Sequence, residues 1–361
     1  MNAAETFNAL PRALGPPLGS AVLRQEPADF VVTELLTPPP SAERGQQEHL
    51  WLLVEKTAAN TGWVARQLAA WFKVRARAVS FAGRKDRHAV TRQWFSVHLP
   101  GLAAADPDPT WPQGEGFQVL DAAWSARKLR RGWHTGNRFQ LRLRHWDPEP
   151  ELLQARLQQI RSSGVPNYFG AQRFGQSFQP AATRLQWPED REQRGFMISA
   201  ARSHLFNNQL AERVATSTWS QAAPGDWVAW HGSAAGFLLT EPDARLHELL
   251  AVGELSPTAW LPGLVRDQRL APTPAEQALL ASWSVWIDQL VERRVECARR
   301  ACRVVPAELA AWQEDGDWHL AFSLPPGSFA TAVVHALCRV DSAAPLQPEQ
   351  QTESSTGQRT A

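Results

Sequence analysis

Apolar and polar positions alternate over short stretches near both ends of the chain and recur at three- and four-residue spacing in its middle. "PADFVVTELL" (27–36) and "EHLWLLVEKT" (48–57) read as strands. Between them, "TPPPSAERGQQ" holds three prolines that exclude regular structure. From Thr61, the apolar positions Val64, Leu68 and Phe72 follow at helical spacing, and Asn60 or Thr61 can cap that helix. A short strand enters Gly83 and a longer one leaves near Ala89. In "NRFQLRLR" (137–144), Phe139, Leu141 and Leu143 alternate with Arg138, Gln140, Arg142 and Arg144, which predicts a half-buried strand with one apolar and one cationic face. Such strands predict an antiparallel or mixed sheet with a basic surface.

Residues 149–163 predict a helix stopped by Gly164 and Pro166. Residues 199–216 and 273–303 predict two more, the second opened by Pro274. The stretch 217–270 is rich in Gly, Pro and short apolar runs. A last strand at 318–324 leads through "PPGS" into the apolar "FATAVVHALCRV". The first twenty residues read as a loose leader and 341–361, without aromatics, as a disordered tail. Two strand-rich flanks thus surround a largely helical middle.

The 361 residues, 43% of them hydrophobic and 20% charged, suit a globular chain with one large or two medium domains. No apolar run approaches the roughly 20 residues that span a bilayer, and no leader peptide opens the chain, so the expectation is a soluble, cytoplasmic protein. Cys297, Cys302 and Cys338 have neither disulfide nor zinc-ribbon spacing, and the P-loop, dinucleotide and H-E-x-x-H motifs are all missing.

A net charge of +1 hides an uneven distribution. Residues 71–93 carry seven Lys/Arg against one Asp, and residues 127–144 carry seven with no acid, an electrostatic footprint for a polyanion. Only Lys56, Lys73, Lys85 and Lys128 are lysines, the rest of the 37 basic residues being Arg. Arg forks grip phosphates, although a GC-rich coding bias gives the same composition.

The lone acid in the first block is Asp86, inside "FAGRKDRHAVTRQ" (81–93). As a plain reading, "GRKD" is a polar hairpin turn. A carboxylate among cations is nevertheless a cost to polyanion affinity, and one that stays ionised at neutral pH can attack carbon or take a proton.

This stretch resembles the signature of the tRNA pseudouridine synthase D family, and further matches follow in the family's order from about residue 20 to 340. They are "PADFVVTE" (27–34), "TGNRFQLRLR" (135–144), "GVPNYFGAQRFG" (164–175), "SAARSHLFNNQLAERV" (199–214), "LPG" (261–263) and "LPPGSFATAVV" (324–334). The resemblance implies an α+β pseudouridine synthase fold on a mixed or antiparallel sheet with a large inserted α/β domain. The catalytic domain would be built from 1–163 and 305–340, the inserted domain from 164–304, leaving 341–361 as the tail.

The function so implied is isomerisation of uridine 13 in the D arm of tRNA to pseudouridine, without a cofactor and with no obligate protein partner evident. Asp86 would be the catalytic carboxylate, adding to C1′ or taking the C2′ proton. Phe30, Asn137 and Phe329 would contact the substrate, with Phe139 two residues beyond Asn137. Arg24 stands where the family has a lysine-like partner for the aspartate; Arg cannot deprotonate, so it would orient and ionise Asp86 rather than shuttle a proton. Lys85 is a candidate for a phosphate.

From the residues alone, Phe30, Phe329 and Phe139 fit core packing as well, and Gly136-Asn137 is a natural turn pair. Asn167, Tyr168, Phe169, Gln172 and Arg173 suit either RNA or a junction between domains. Two other functions remain open on residues alone: a non-catalytic tRNA-binding folding chaperone using the same basic cleft, and a metal-dependent nuclease, which lacks clustered acids.

Overall fold

The computed structural model describes residues 3–38, 47–101, 111–175, 178–233 and 235–342. Most of the proline-rich connection, and the tail from 343 onward, lie outside the described residues. The chain opens with helix α1 (Ala3–Asn8) and strands β1 (Ser20–Leu23), β2 (Phe30–Leu35) and β3 (His49–Thr57). Helix α2 (Thr61–Trp71) precedes β4 (Val79–Phe81), β5 (Val90–His98), β6 (Gln113–Gly114), β7 (Phe117–Ser125) and β8 (Gly136–Arg144). After α3 (Pro150–Ser163) come β9 (Val165–Pro166), α4 (Arg191–Ala215), β10 (Trp227–Trp230), β11 (Gly236–Leu238), α5 (Ala244–Val252) and β12 (Leu255–Leu261). Then follow α6 (Pro274–Leu279), α7 (Ser284–Glu292), β13 (Ala298–Ala301) and β14 (Arg303–Val304). The chain closes with β15 (Ala307–Glu314), β16 (Asp317–Leu324), α8 (Ala330–Leu337) and β17 (Arg339–Ser342).

An 11-stranded mixed sheet runs β15-β16-β8-β2-β5-β3-β7-β6, with β1 on β8, β17 on β1 and β4 on β5. β2–β5 and β1–β17 pair parallel and its other pairs are antiparallel. A second sheet, β11-β10-β12-β13, lies with α4 to α7 between residues 191 and 301. The short β9 and β14 pair antiparallel with each other, at either end of this region. No helix among the described residues is long and apolar enough to cross a membrane.

One face of the large sheet carries two separate cores. Phe30 and Val32 of β2, Phe139, Leu141 and Leu143 of β8 and Leu320 and Phe322 of β16 pack beneath α3 and α8. Leu50, Leu52, Val54, Phe95 and Val97 pack beneath Val64, Leu68 and Ala69 of α2. Between the cores the same face turns polar: in register, Val32 is beside Thr91, Thr91 beside Lys56, and Glu34 beside Asn137. All of these polar residues are buried.

Several expectations are corrected. The leader is not loose: α1 places Phe7 in a core, and the Leu18 amide donates to the Leu337 carbonyl. The helix expected over 273–303 ends at Glu292. It is two pieces, α6 with a Thr273–Glu276 capping box and α7, after which Arg294 adopts φ 55° and Ala298–Ala301 pair with β12. Cross-strand pairing there overrides the helical preference of Ala and Arg. The helix at 199–216 begins earlier, at Arg191, where the Asp190 carboxylate accepts from the Gln193 amide. The middle therefore includes a sheet of its own, which its short strands among Gly and Pro concealed.

The cationic face of β8 is also less open than its sequence implies. Arg142 pairs with Asp317 at 2.8 Å, Arg144 with Asp29 at 2.8 Å, and Arg138 reaches Glu308 at 3.7 Å. Exposed cations without an ion pair among the described residues include Lys73, Arg75 and Arg77 after α2, Arg87, and Arg127, Lys128, Arg130 and Arg131 before β8. The loop holding the last four is tied to the Asp86 segment by the Gly132 amide, which donates to the Ala82 carbonyl.

Candidate active site

The loop from Gly83 to Asp86 connects β4 to β5 over the polar seam between the two cores. Four buried groups hold it. Gln93 Nε2 donates to the Gly83 carbonyl (2.9 Å), and Thr61 Oγ1 accepts from the Lys85 amide (3.0 Å) while donating to Gln93 Oε1 (3.0 Å). Lys85 Nζ pairs with Glu34 Oε1 at 2.6 Å, and Lys56 Nζ donates to the Asp86 carbonyl at 2.7 Å. Of the two caps expected for α2, Thr61 spends its hydroxyl on this loop, and Asn60 holds the N-cap position without a side-chain bond.

The Asp86 carboxylate remains 36% exposed, with Oδ2 bound by Arg24 Nη2 at 2.7 Å. Arg24 reaches it from the end of β1, where φ is +64°, a conformation that costs an L-residue of this kind about 1 kcal/mol or more. Its guanidinium lies over Phe30, Cζ 3.8 Å from the ring centroid. Burial lowers the pKa of Arg24, and the adjacent Asp86 charge opposes that shift.

Lys56 is fully buried. Burial pushes its pKa down to about 8, Asp86 raising it and Lys85 lowering it. Its ammonium therefore holds the Asp86 carbonyl at neutral pH and loses its charge in the mildly alkaline range. The neighbouring His134 has its pKa lowered by burial first and by Lys85 second, and its Nδ1 is buried without a partner.

The sequence-expected residues fall into three groups. Asp86, Arg24 and Phe30 form a connected stack, and Phe139 meets the Phe30 edge with centroids 6.1 Å apart. Phe30 and Phe139 are nonetheless buried, Phe139 also against Phe322 at 5.6 Å, so their rings belong to the core floor of the site. Asn137 lies opposite Glu34 on the same face, buried, its Oδ1 without a hydrogen-bond partner. Phe329 stands apart, half-buried at the start of α8 against Phe169 at 5.4 Å.

Lys85 does not point to a phosphate. Its ammonium is buried against Glu34, whose second oxygen accepts from the Trp94 amide at 3.3 Å. In the 164–175 segment, the Tyr168 hydroxyl is spent on the Pro11 carbonyl, and Asn167 donates to the Ala301 carbonyl while accepting from Arg300. Those two residues serve the junction.

Lys56, Glu34, Thr61 and Gln93 were missed as site residues. A signal for two of them exists. Leu50, Leu52, Val54 and Lys56 alternate along one strand, as do Phe30, Val32 and Glu34 along another, which sets a charge on each core-facing row. Charges there are costly unless partnered.

Three comparisons bear on this geometry. The family model described as tRNA pseudouridine synthase D (TruD) matches residues 16–183 and 189–337. The tRNA pseudouridine synthase D of Ectopseudomonas mendocina (strain ymp) is 43% identical over 342 residues, covering 91% of this chain and 94% of that protein. That of Hydrogenovibrio crunogenus is 40% identical over 337 residues, covering 91% and 95%. A crystal structure described as a putative tRNA pseudouridine synthase D from Methanosarcina mazei superposes with a TM-score of 0.67 at 21% identity, covering 94% of this chain and 98% of that one. At that identity it speaks for the fold.

Proposed function

The chain belongs to the tRNA pseudouridine synthase D family, and on that premise we propose that Asp86 is the carboxylate through which it isomerises uridine 13 in the D arm of tRNA to pseudouridine. The enzyme is an isomerase of the pseudouridine synthase class. The observation that carries the assignment to Asp86 is its placement: an accessible carboxylate with one oxygen bound by Arg24 at 2.7 Å, on a loop anchored at Gly83, Lys85 and Asp86.

Anchoring fixes the attacking group before the substrate arrives, so little reorganisation is left for the reaction itself. Arg24 holds Oδ2, leaving Oδ1 for the ribose. The N1–C1′ bond of the uridine breaks, the uracil turns, and C5 bonds to C1′; the C5 proton is lost and N1 gains one, so no co-reactant is consumed. Asp86 either adds to C1′ or takes the C2′ proton, and both routes need an ionised carboxylate beside the sugar. The nucleotide must leave its stack to reach this depth, at a cost of a few kcal/mol. The unpartnered Asn137 Oδ1 is a ready acceptor for a uracil N–H, and Phe329 offers a ring for the extruded base at about 1–3 kcal/mol.

The exposed cations Arg127, Lys128, Arg130 and Arg131 beside the loop suit the phosphates of such a partner. The same reading treats 164–304 as an inserted domain, in keeping with the pairing of β9 and β14 at its two ends. It takes the cytoplasm, where tRNA is found, as the place of the reaction. Asp86→Asn tests the assignment: pseudouridine at position 13 falls by about 10⁴-fold or more while tRNA binding is retained. Undiminished pseudouridine in that variant refutes Asp86 as the catalytic carboxylate.

A further inference from the structure

Around Phe329 the charges are arranged differently from those around Asp86. The Arg300 guanidinium lies 4.1 Å from the Phe169 centroid and 5.8 Å from that of Phe329; the Arg173 guanidinium lies 5.7 Å and 6.0 Å from the same rings. Two like charges therefore share one pair of aromatic faces. Arg300 is fully engaged, donating to the Asn167 carbonyl, Asn167 Oδ1 and the Gly327 carbonyl. Burial, and then the charge of Arg173, push its pKa down to about 9.

Arg173 is not engaged. Its Nε is buried without a partner, and among the described residues its guanidinium makes no hydrogen bond and has no carboxylate within 4 Å. Other sheltered arginines here have their terminal nitrogens engaged: Arg156 donates to the Ala336 and Pro16 carbonyls, and the Nη atoms of Arg299 to Glu276 and the Ala271 carbonyl, although Arg299 shares an unpartnered Nε. The loop bearing Arg173 is held tightly against α8, since a Cβ on Gly170 would come within 2.1 Å of Thr331 Oγ1. Helix α8 begins at Ala330 with no side-chain cap, and its first amides add positive potential on the same side.

We propose that Arg173 seats a backbone phosphate of the RNA beside Phe329, with Arg300 raising the local potential and fixing the Gly327 turn. A phosphate supplies the acceptors that the guanidinium fork lacks and offsets the repulsion between the two cations. The inference rests on the reading of the chain as a tRNA-binding enzyme whose Phe329 meets the extruded nucleotide.

The test is equilibrium binding of an unmodified tRNA transcript to the full-length chain across a potassium chloride series. Arg173→Gln weakens binding about tenfold at 0.1 M salt and reduces the slope of log K against log salt by about 0.7, while Arg173→Lys restores the slope. An Arg173→Gln slope equal to wild type overturns the proposal, whatever happens to affinity, because packing alone would then account for the residue. A second arm needs no variant: in wild type, at least one neutral methylphosphonate linkage near the target uridine costs several-fold in affinity, and a scan in which none does also overturns it. Failure of the underlying reading looks different, as wild-type protein that forms no pseudouridine or binds tRNA without salt dependence.

Discussion

The Asp86 loop and the cluster around Phe329 both set cations against aromatic rings, yet they are finished to different degrees. Around Asp86 the charges that hold the loop have partners within the chain: Arg24 with Asp86, Lys85 with Glu34, Lys56 with a carbonyl. Around Phe329, Arg300 is satisfied and Arg173 is not. The chemical step asks for a carboxylate held in one geometry, which internal partners supply. Binding asks for charge left over, which only an outside anion can complete.

Removing the carboxylate should give the largest effect, the loss of about 10⁴-fold described for Asp86→Asn, equivalent to about 5.4 kcal/mol of barrier. Next, Glu34→Ala strands Lys85 as a buried unpaired cation. Urea unfolding should show about 3–5 kcal/mol lost stability, a result that an exposed, dispensable pair would not give. Lys56→Met removes the donor to the Asp86 carbonyl while filling the same space. Steady-state assays should show kcat down about 10²-fold with little change in melting temperature.

Lys56 also gives the comparison a pH signature. With its pKa near 8, the wild-type ammonium is charged at pH 7 and neutral by pH 9, so kcat/KM should fall as pH rises through about 8, and that limb should vanish in Lys56→Met. For stability the sign is opposite. A depressed lysine is penalised below its folded pKa, and the penalty is relieved between about pH 8 and the unfolded value near 10.4 as the folded state releases its proton first. The smallest effect is expected at the rim: Arg131→Gln should weaken tRNA binding only a few-fold, because the charge is exposed and screened.

The order and alternation of residues made much of this legible. The motif around Asp86, the strands at 30–35, 49–57 and 136–144 and the Arg24 contact follow from local pattern and from family resemblance. What stayed hidden depends on pairing between distant segments. The Arg-rich run 298–301 is a strand because β12 lies beside it, and the arginines of β8 are neutralised by Asp29, Glu308 and Asp317, which the strand's own sequence does not contain. Phe329, grouped with Phe30 and Asn137 in the motif order, lies instead beside Phe169, because α8 begins only after the turn that follows β16.

The scarcity of lysine has a practical consequence. Two of the four amino side chains, Lys56 and Lys85, are sheltered at the Asp86 loop, and the other two, Lys73 and Lys128, stand exposed on the cationic segments around it. A gentle amine-reactive fluorophore would therefore mark, apart from the chain's first residue, just the rim where RNA is expected to land, and transfer RNA added beforehand should shield it from the dye.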